Sequence, residues 1–178
     1  MKYTKITISG KICTGKTTLF WNLQNKLVWP TFSSSQFFRD YARLNTVSLD
    51  AADEQNKKLT NFVDFRMRDM LKKPGNLLAE GWMAGIMANH YKKILKVLLV
   101  CDDIVRIKRY AEREDTSLKE AKKRLQAREK NWLEKMERIY KRTDFFDPKN
   151  YDLVIDTSDM KPAAIEKNIL AIIDKGTI

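Results

Sequence analysis

The strongest constraint on the fold is a glycine-containing loop that joins a short β-branched segment to an amphipathic one. Residues 4–9, TKITIS, favour a strand, and residues 16–27 carry leucines four positions apart, as in a helix. Residues 10–17, which include the loop and the first two residues of the predicted helix, read GKICTGKT and match the pattern G-x-x-x-x-G-K-[ST]. Because strand, loop and helix follow one another in the order that this pattern requires, we predict a phosphate-binding loop over residues 10–17.

The residue types of this loop suit an anion. Glycines 10 and 15 let backbone N–H groups point inward without a Cβ in the way, and the positive end of the following helix adds to the attraction. Lys16 would bring a charge to the β- and γ-phosphates of a nucleotide, and Thr17 would bring a hydroxyl ligand to Mg²⁺. The predicted nucleotide-binding residues here are Gly10, Lys11, Ile12, Cys13, Thr14, Gly15, Lys16, Thr17 and Thr18.

Strands and helices alternate along the rest of the chain. The near-continuous apolar run ILKVLLVC at 94–101 predicts a parallel strand that is buried on both faces. Shorter strands are predicted at 30–32, 77–80 and 151–156, and helices at 37–44, 53–71, 103–113, 118–140 and 162–173. This alternation predicts an α/β fold with about five strands in a mostly parallel sheet, and one domain over residues 1–178.

Capping residues mark the predicted starts of several helices. Serines at 33–35 and the segment 48–50 are expected to cap two of them, and the aspartates at 102–103 a third. Ser117 is expected to cap the long fourth helix, with Glu120 placed for a capping box. On the first helix, Trp21 is expected to belong to the core.

Composition and charge exclude several classes of protein. Two cysteines are too few for a disulfide framework, and a single histidine, His90, argues against a histidine metal cluster or a Ser-His-Asp triad. No apolar run approaches the ~20 residues of a membrane helix, and without an export signal we expect a cytoplasmic protein. The 34 basic and 23 acidic residues give a net charge of +11, of which residues 106–142 supply +7. This charge favours an anionic partner, whether a nucleotide, a nucleic acid or a phosphometabolite.

Other motifs narrow the class of phosphate-loop protein. Neither the D-x-x-G nor the N-K-x-D motif of switch GTPases occurs in a suitable place. The run VLLVCDD is similar to the Walker B strand of motor and transporter ATPases, but the chain has no room for their other modules. The small size and the basic helical segment late in the chain therefore favour a small-molecule kinase.

Several segments carry a more specific resemblance, in order along the chain. They are ISGKICTGKTT, SSSQFFRDYA, FVDFRM, NLLAEGWMAG, KVLLVCDDIVRIKRYAERE with TSLKEAKKRLQARE, and NYDLVIDTS. In these segments the chain resembles cytidylate kinases, especially the short archaeal type of the nucleoside monophosphate kinase family. The resemblance implies the three-layer α/β fold of P-loop NTPases, with a five-stranded parallel sheet ordered 2-3-1-4-5.

The same resemblance implies an activity. The γ-phosphoryl group of ATP would pass to CMP or dCMP, with Mg²⁺ as cofactor and with both ligands beyond the carboxyl ends of the strands. A helical monophosphate-binding insert is implied at about 33–71, and a helical lid at about 113–145. The partners would be ATP and a nucleoside monophosphate, with no membrane, and the protein is expected to be a monomer.

The resemblance also implies catalytic and ATP-binding residues outside the loop. Positive charge is needed because the transition state spreads negative charge over the phosphoryl oxygens. Arg128 would reach the transferred group, and Arg109 or Arg113 would lie over the base or phosphates of ATP. Lys16, Arg128 and Arg109 are thus the expected catalytic residues. Thr157 and Ser158 follow the last strand, where the family contacts adenine through backbone groups.

The implied metal and acceptor residues lie on other segments. Glu80, at the end of a strand, would hold Mg²⁺ through water, together with Thr17. Arg39 corresponds to the arginine that grips the monophosphate, and Asp64 to a carboxylate that accepts a hydrogen bond from the cytosine amine. Trp82 stands where the family usually has a second phosphate-binding arginine. The tryptophan could instead stack on a base.

Further departures leave the acceptor open. Lys135 stands in place of a second lid arginine, and Ser35 in place of a frequent glycine. One alternative is therefore a P-loop kinase for another small acceptor. A second is an RNA-associated ATP-binding protein or ATPase with little kinase turnover, which the net charge and Trp82 motivate, although a nucleic-acid partner is not favoured.

Overall fold

A computed structural model describes residues 3–47 and 57–175. Five parallel strands form its central sheet: β1 (Lys5–Gly10), β2 (Thr31–Ser33), β3 (Leu77–Glu80), β4 (Ile94–Val100) and β5 (Leu153–Asp156). Their order across the sheet is β2-β3-β1-β4-β5, and every neighbouring pair is parallel. The predicted fold class and strand order are therefore confirmed.

Helices cover both faces of this sheet. They are α1 (Lys16–Leu27), α2 (Ser34–Leu44), α3 (Lys57–Lys72), α4 (Ala84–Met87), α5 (Asp103–Glu114), α6 (Leu118–Tyr140) and α7 (Pro162–Lys175). A short 3₁₀ helix spans Pro148–Asn150. The predicted cap at 48–50 and the first residues of the predicted helix at 53–71 lie outside the described residues. The short helix α4 has no counterpart among the predictions.

Two of the three testable helix caps are confirmed. The Ser33 hydroxyl accepts a hydrogen bond from the backbone N–H of Gln36 at 3.0 Å, and Ser117 accepts one from that of Glu120 at 3.2 Å. Asp102 occupies the cap position of α5, but its side chain makes no capping hydrogen bond to the described first turn. The aspartate prediction is therefore wrong as a side-chain cap.

The apolar core lies in two layers, one on each face of the sheet. On one face, α1 and α7 bury residues such as Leu23 and Ile169 against β1 and β4. On the other face, α3, α4 and α6 bury Met67, Met87 and Met136. Strands β1, β3 and β4 are covered on both sides, which explains the near-continuous apolar sequence of β4.

Trp21 does not belong to this core, so that prediction is wrong. The apolar stripe of α1 that faces the sheet consists of Leu19, Phe20 and Leu23, all buried. Successive helical residues point about 100° apart, so Trp21 faces away from the sheet and is 42% exposed. Its ring packs edge-on against that of Phe20, with the ring centroids 5.1 Å apart.

Membrane insertion is the last point that the fold addresses. Within residues 3–47 and 57–175, no helix combines the length and the apolar character needed to cross a bilayer.

Candidate active site

A cavity of about 890 Å³ lies where β1, β2 and β3 end. Its walls come from the glycine-rich loop after β1, from α2 and α3, from the segment after β3, and from α5 and α6. The structure brings most of the predicted site residues to it. Those that line it are Ile12, Cys13, Gly15, Lys16, Thr17, Thr18, Arg39, Asp64, Trp82, Arg109, Arg113, Arg128 and Lys135.

The loop owes its shape to backbone conformations that glycine favours. Gly10 has φ +147° and Gly15, the residue before α1, has φ +89°. A Cβ on Gly10 would lie 2.4 Å from the Leu99 carbonyl oxygen and 2.7 Å from the Thr14 hydroxyl. Thr14 is buried and donates a hydrogen bond to the Lys11 carbonyl at 3.0 Å. The loop is therefore closed on itself, and the N-terminus of α1 opens into the cavity.

Lys16 is held inside the loop. Its side chain is 6% exposed, and Nζ donates a hydrogen bond to the Lys11 carbonyl at 2.7 Å. Burial lowers the pKa of Lys16 to about 8, although the carboxylate of Glu80 opposes this shift. A phosphate group bound in the loop would place negative charge beside the Lys16 ammonium, and this charge would favour the protonated form of the lysine.

Glu80 is completely buried at the end of β3. Its Oε2 accepts a hydrogen bond from the Ser33 hydroxyl at 2.6 Å, and its Oε1 accepts one from Ser35 at 2.8 Å. Ser34 donates to the Glu80 backbone carbonyl at 3.3 Å. The serine cluster that the sequence indicated as a helix cap therefore also holds a carboxylate in place beside the loop.

The donors near the loop fit a magnesium ion. Thr17 presents a hydroxyl to the cavity, and each Glu80 oxygen, with one hydrogen bond accepted, keeps a lone pair for a bridging water. Residues 3–47 and 57–175 contain no cluster of three or more His, Cys, Asp or Glu that could enclose a metal. Mg²⁺ commonly uses one or two protein groups, several waters and substrate phosphates, so a small oxygen set is what it requires.

Arg109 ties the loop to the segment that follows β5. Its Nη2 donates to the Thr157 carbonyl at 2.7 Å, and its Nη1 donates to the Cys13 carbonyl at 3.3 Å. Arg113, one turn further along α5, is about half exposed, and its guanidinium lies over the Tyr110 ring at 5.1 Å from the centroid. Both arginines therefore face the nucleotide loop, Arg109 as a partly buried brace and Arg113 as a more accessible charge.

Thr157 and Ser158 lie behind the loop and do not line the cavity. The Thr157 hydroxyl is buried and donates to the Thr14 carbonyl at 3.0 Å. The Ser158 hydroxyl donates to Asp156 at 2.6 Å and accepts from the backbone N–H of Asp102 at 2.9 Å. Thr157 therefore fastens the end of β5 to the phosphate loop, and Ser158 fastens it to the segment after β4. Their predicted contact with adenine stays a prediction.

Arg39 on α2 and Asp64 on α3 both line the cavity. The Arg39 guanidinium donates from Nε and Nη2 to Gln36 Oε1, at 3.3 and 3.1 Å. Asp64 accepts a hydrogen bond from the Tyr140 hydroxyl at the end of α6. Burial raises the pKa of Asp64, while the Tyr140 hydrogen bond and the charges of Arg68 and Lys135 oppose the rise.

Aromatic rings occupy the position where an arginine was expected. The rings of Trp82 and Trp132 lie 4.6 Å apart between centroids, tilted by 38°, and both line the cavity. Phe145 and Phe146 pack behind Trp132. The sequence predicts a helix over 118–140 that contains both Trp132 and Tyr140, but it does not indicate that Trp132 meets Trp82 or that Tyr140 bonds to Asp64. Neither contact has a local signal, because each joins segments far apart in the chain.

The five-stranded parallel sheet and the phosphate loop together form a P-loop kinase fold. Solved structures of low sequence identity share this fold. A shikimate kinase from Acinetobacter baumannii superimposes with a TM-score of 0.63 at 14% identity, over 99% of this chain and 96% of that chain. A gluconokinase from Sinorhizobium meliloti gives 0.63 at 10% identity, over 98% and 93%. An uncharacterized protein from Eubacterium ventriosum gives 0.71 at 15% identity, over 96% and 98%. These likenesses concern the fold alone.

The chain belongs to the cytidylate kinase-like family, whose sequence model matches residues 5–159. A cytidylate kinase from Methanococcus vannielii is 33% identical over 158 residues, which are 86% of this chain and 90% of that protein. The cytidylate kinase from Thermoplasma acidophilum is 29% identical over 175 residues, or 96% and 93%. The predicted class of enzyme, an ATP-dependent nucleoside monophosphate kinase, is thereby confirmed.

Proposed function

We propose that the enzyme transfers the γ-phosphoryl group of ATP to CMP or dCMP, giving ADP and the nucleoside diphosphate. One observation carries the proposal: the nucleotide loop, with Lys16 and Thr17, shares a single cavity with Arg39 and Asp64. An anion site for a triphosphate thus opens onto a guanidinium and a carboxylate, which suit a monophosphate and an amino-pyrimidine. Relatives that bear the name cytidylate kinase add support.

The transfer needs positioning and charge neutralisation more than covalent chemistry. Backbone N–H groups of the loop and the Lys16 ammonium would bind the β- and γ-phosphates. Arg128 would neutralise charge on the transferred group, and Arg113 would cover the base or phosphates of ATP. Arg109 would act by bracing the phosphate loop, because its guanidinium already donates hydrogen bonds to the carbonyls of Cys13 and Thr157.

Mg²⁺ would be held by the Thr17 hydroxyl and, through water, by Glu80. When bound, the ion would neutralise charge on the β- and γ-phosphates. The hydroxyls of Ser33 and Ser35 would keep that carboxylate correctly oriented, since each donates a hydrogen bond to one of its oxygens.

Acceptor recognition would fall to residues of α2, α3, α6 and the segment after β3. Arg39 would exchange its contact with Gln36 for a forked contact with the monophosphate. Asp64 would accept a hydrogen bond from the exocyclic amine of cytosine, where the uracil oxygen would meet a like-charged acceptor. Lys135 would add charge for the acceptor phosphate, and Trp82 would stack on the base.

The monophosphate-binding insert would span residues 33–71 and the lid residues 113–145. The first carries Arg39 and Asp64, and the second carries Arg128 and Lys135. Closure of the lid over both substrates would exclude water, which would otherwise hydrolyse ATP.

A second candidate, a different small phosphate acceptor, is favoured by one feature of the cavity. Trp82 replaces an expected phosphate-binding arginine and stacks on Trp132, so that part of the wall is apolar and uncharged. An acceptor with a larger apolar face would suit this wall.

The decisive experiment is a coupled assay of ADP release with CMP, dCMP, UMP, AMP, GMP, shikimate and gluconate as acceptors. We expect ADP with CMP or dCMP in preference to the others. Asp64→Asn should narrow the preference for CMP over UMP by about tenfold, the effect of weakening one charged hydrogen bond. Lys16→Ala is the loop control and should lower the rate by about 10²–10³.

Other results would overturn the proposal. Preference for UMP, AMP or GMP, or for a non-nucleotide, would reject cytosine recognition by Asp64 and favour the second candidate. Equal rates for Lys16→Ala and the wild type would reject the loop assignment itself.

A further inference from the structure

Arg106 is the largest fully buried side chain, although it carries a permanent charge. It extends from α5 toward the phosphate loop, where Nε donates a hydrogen bond to the Ile12 carbonyl at 2.8 Å. Nη1 donates to Asp103 at 2.6 Å, and Nη2 donates to the Glu129 carboxylate on α6. One guanidinium thus joins the loop to α5, which carries Arg109 and Arg113, and to α6, which carries Arg128.

Glu129 is the partner of this guanidinium on α6, and its side chain is only 13% exposed. Burial raises the pKa of the Glu129 carboxyl, while the charges of Arg106 and Lys11 oppose the rise. The ion pair is therefore fastened to the loop at Ile12, through the hydrogen bond that Arg106 donates to the Ile12 carbonyl.

Stability alone does not account well for this pair. Removing two charges from water costs several kcal/mol per ion, and a buried ion pair is often no more stabilising than apolar residues of similar volume. What such a pair does provide is direction, because its hydrogen bonds tolerate few alternative geometries. In this protein, the pair fixes the orientation of α6 relative to the nucleotide loop.

Arg128 precedes Glu129 on the helix and lines the cavity. Successive side chains of a helix point about 100° apart, so a helix that is clamped at Glu129 has a defined direction for Arg128 as well. Neither Arg106 nor Glu129 lines the cavity, whereas Arg128 lies on the side that the substrates would occupy.

We propose that Glu129 and Arg106 are positioning residues for Arg128. They hold α6 against Ile12, so that the Arg128 guanidinium is already oriented toward the transferred phosphoryl group. This inference rests on the proposed role of Arg128 in transfer. Displacing a catalytic group by about 1 Å can cost about 10²-fold in rate, so a modest loosening of the clamp has a measurable effect.

The test is a double-mutant cycle on kcat with saturating ATP and CMP. The variants are Glu129→Gln, which removes the charge and keeps the shape, Arg128→Ala, and both together. We expect Glu129→Gln to lower kcat about 10–100-fold, with less than a threefold change in the KM for ATP. In the Arg128→Ala background the same substitution should have almost no further effect, because the guanidinium that it positions is absent. Circular dichroism verifies the fold, and Glu129→Asp should recover part of kcat.

A matched control lies on the same helix. Glu134 is exposed and forms a solvent-facing pair with Lys130 at 3.9 Å, so Glu134→Gln should leave kcat unchanged. Multiplicative losses from Arg128→Ala and Glu129→Gln would overturn the positioning role while leaving the role of Arg128 intact. An Arg128→Ala variant with unchanged kcat would instead reject the proposed role of Arg128, and the positioning inference with it. Should Glu129→Gln not fold, the cycle with Glu129→Asp gives the same two outcomes.

Discussion

The Tyr140 hydroxyl donates a hydrogen bond to the Asp64 carboxylate across a separation of 76 residues. The bond joins the last turn of α6 to the middle of α3. The Arg68 guanidinium lies over the Tyr140 ring, 5.5 Å from its centroid, and also donates to the Met87 sulfur at 3.0 Å. The helix that carries Arg128 is therefore attached to the carboxylate proposed to recognise the acceptor base.

Replacement of Tyr140 by phenylalanine should change the pH dependence of acceptor use. Burial raises the pKa of Asp64, and the Tyr140 hydrogen bond opposes this rise, so Tyr140→Phe should raise that pKa further. The ionised carboxylate of Asp64 accepts hydrogen bonds through both oxygens, whereas the protonated form does not. The pH at which kcat/KM for CMP falls on the acidic side of the profile should therefore rise. Profiles from pH 5 to 8 measure the shift, and Arg68 keeps its ring partner in the variant. A limb at unchanged or lower pH would contradict the prediction.

Binding of Mg·ATP should take up protons near pH 8. The pKa of Lys16 is about 8 in the unliganded protein, so about half of the side chains are neutral at that pH. Phosphates beside Nζ would raise the pKa and protonate this fraction, whereas at pH 6.5 the side chain is already charged. Calorimetry in buffers with different ionisation enthalpies measures the uptake.

The matched control for this proton uptake is Lys16→Arg, since arginine stays charged at any pH in this range. Proton exchange by ATP itself occurs with both proteins and cancels in their difference. Equal uptake by the variant and the wild type at pH 8 would show that Lys16 does not titrate there.

Gly10→Ala should be far more disruptive than the same change at Gly75. Gly10 has positive φ and its new Cβ would meet the Leu99 carbonyl at 2.4 Å, so backbone strain and overpacking combine to cost about 2–6 kcal/mol. Gly75 also has positive φ, +100°, but no atom lies within 4 Å of its Cβ position. Gly75→Ala should therefore cost only about 1–2 kcal/mol. Urea unfolding of both variants tests the difference, and equal losses would refute it.

Asp144→Asn should remove a pH-dependent contribution to stability. Arg142 donates from Nε and Nη2 to the two Asp144 oxygens at 2.6 and 2.8 Å, and these bonds hold the pKa of Asp144 well below its ordinary value. The stabilisation is complete above the unfolded pKa, about 3.9, and is lost as the pH falls toward the depressed folded pKa. Since the pair is largely exposed, we expect about 0.2–1 kcal/mol at pH 7.

Thermal unfolding of Asp144→Asn and the wild type at pH 7 and at pH 3 tests this sign. The difference in melting temperature should be smaller at the lower pH. A difference that grows as the pH falls would mean that the aspartate destabilises the fold when ionised.

Strands, helices and the phosphate loop were predictable because each is encoded by neighbouring residues. The apolar run of β4, the leucine spacing of α1 and the loop motif all act over a few positions. Where local patterns were short or ambiguous, prediction failed. Helix α4 has four residues, too few for a period, and its Gly85 is needed because a Cβ there would lie 2.5 Å from the Tyr151 ring.

Trp21 shows a different limit of sequence reasoning. The periodicity of α1 separates a face that packs on the sheet from one that does not, but it cannot say whether the second face meets bulk water or a cavity. In the structure this face borders the cavity, which Trp21 lines together with Thr17 and Thr18.

What the sequence alone determined is the chemistry of a contiguous site: an anion-binding loop, with its lysine and threonine, between a strand and a helix. Only the tertiary structure decided which distant groups meet there, as with Ser35 and Glu80, Asp64 and Tyr140, or Arg106 and Glu129. The physical reason is the range of the forces involved. Local propensity acts within a turn or two of the chain, whereas a hydrogen bond between separate helices exists only after the packing of both against the sheet has set their distance and rotation.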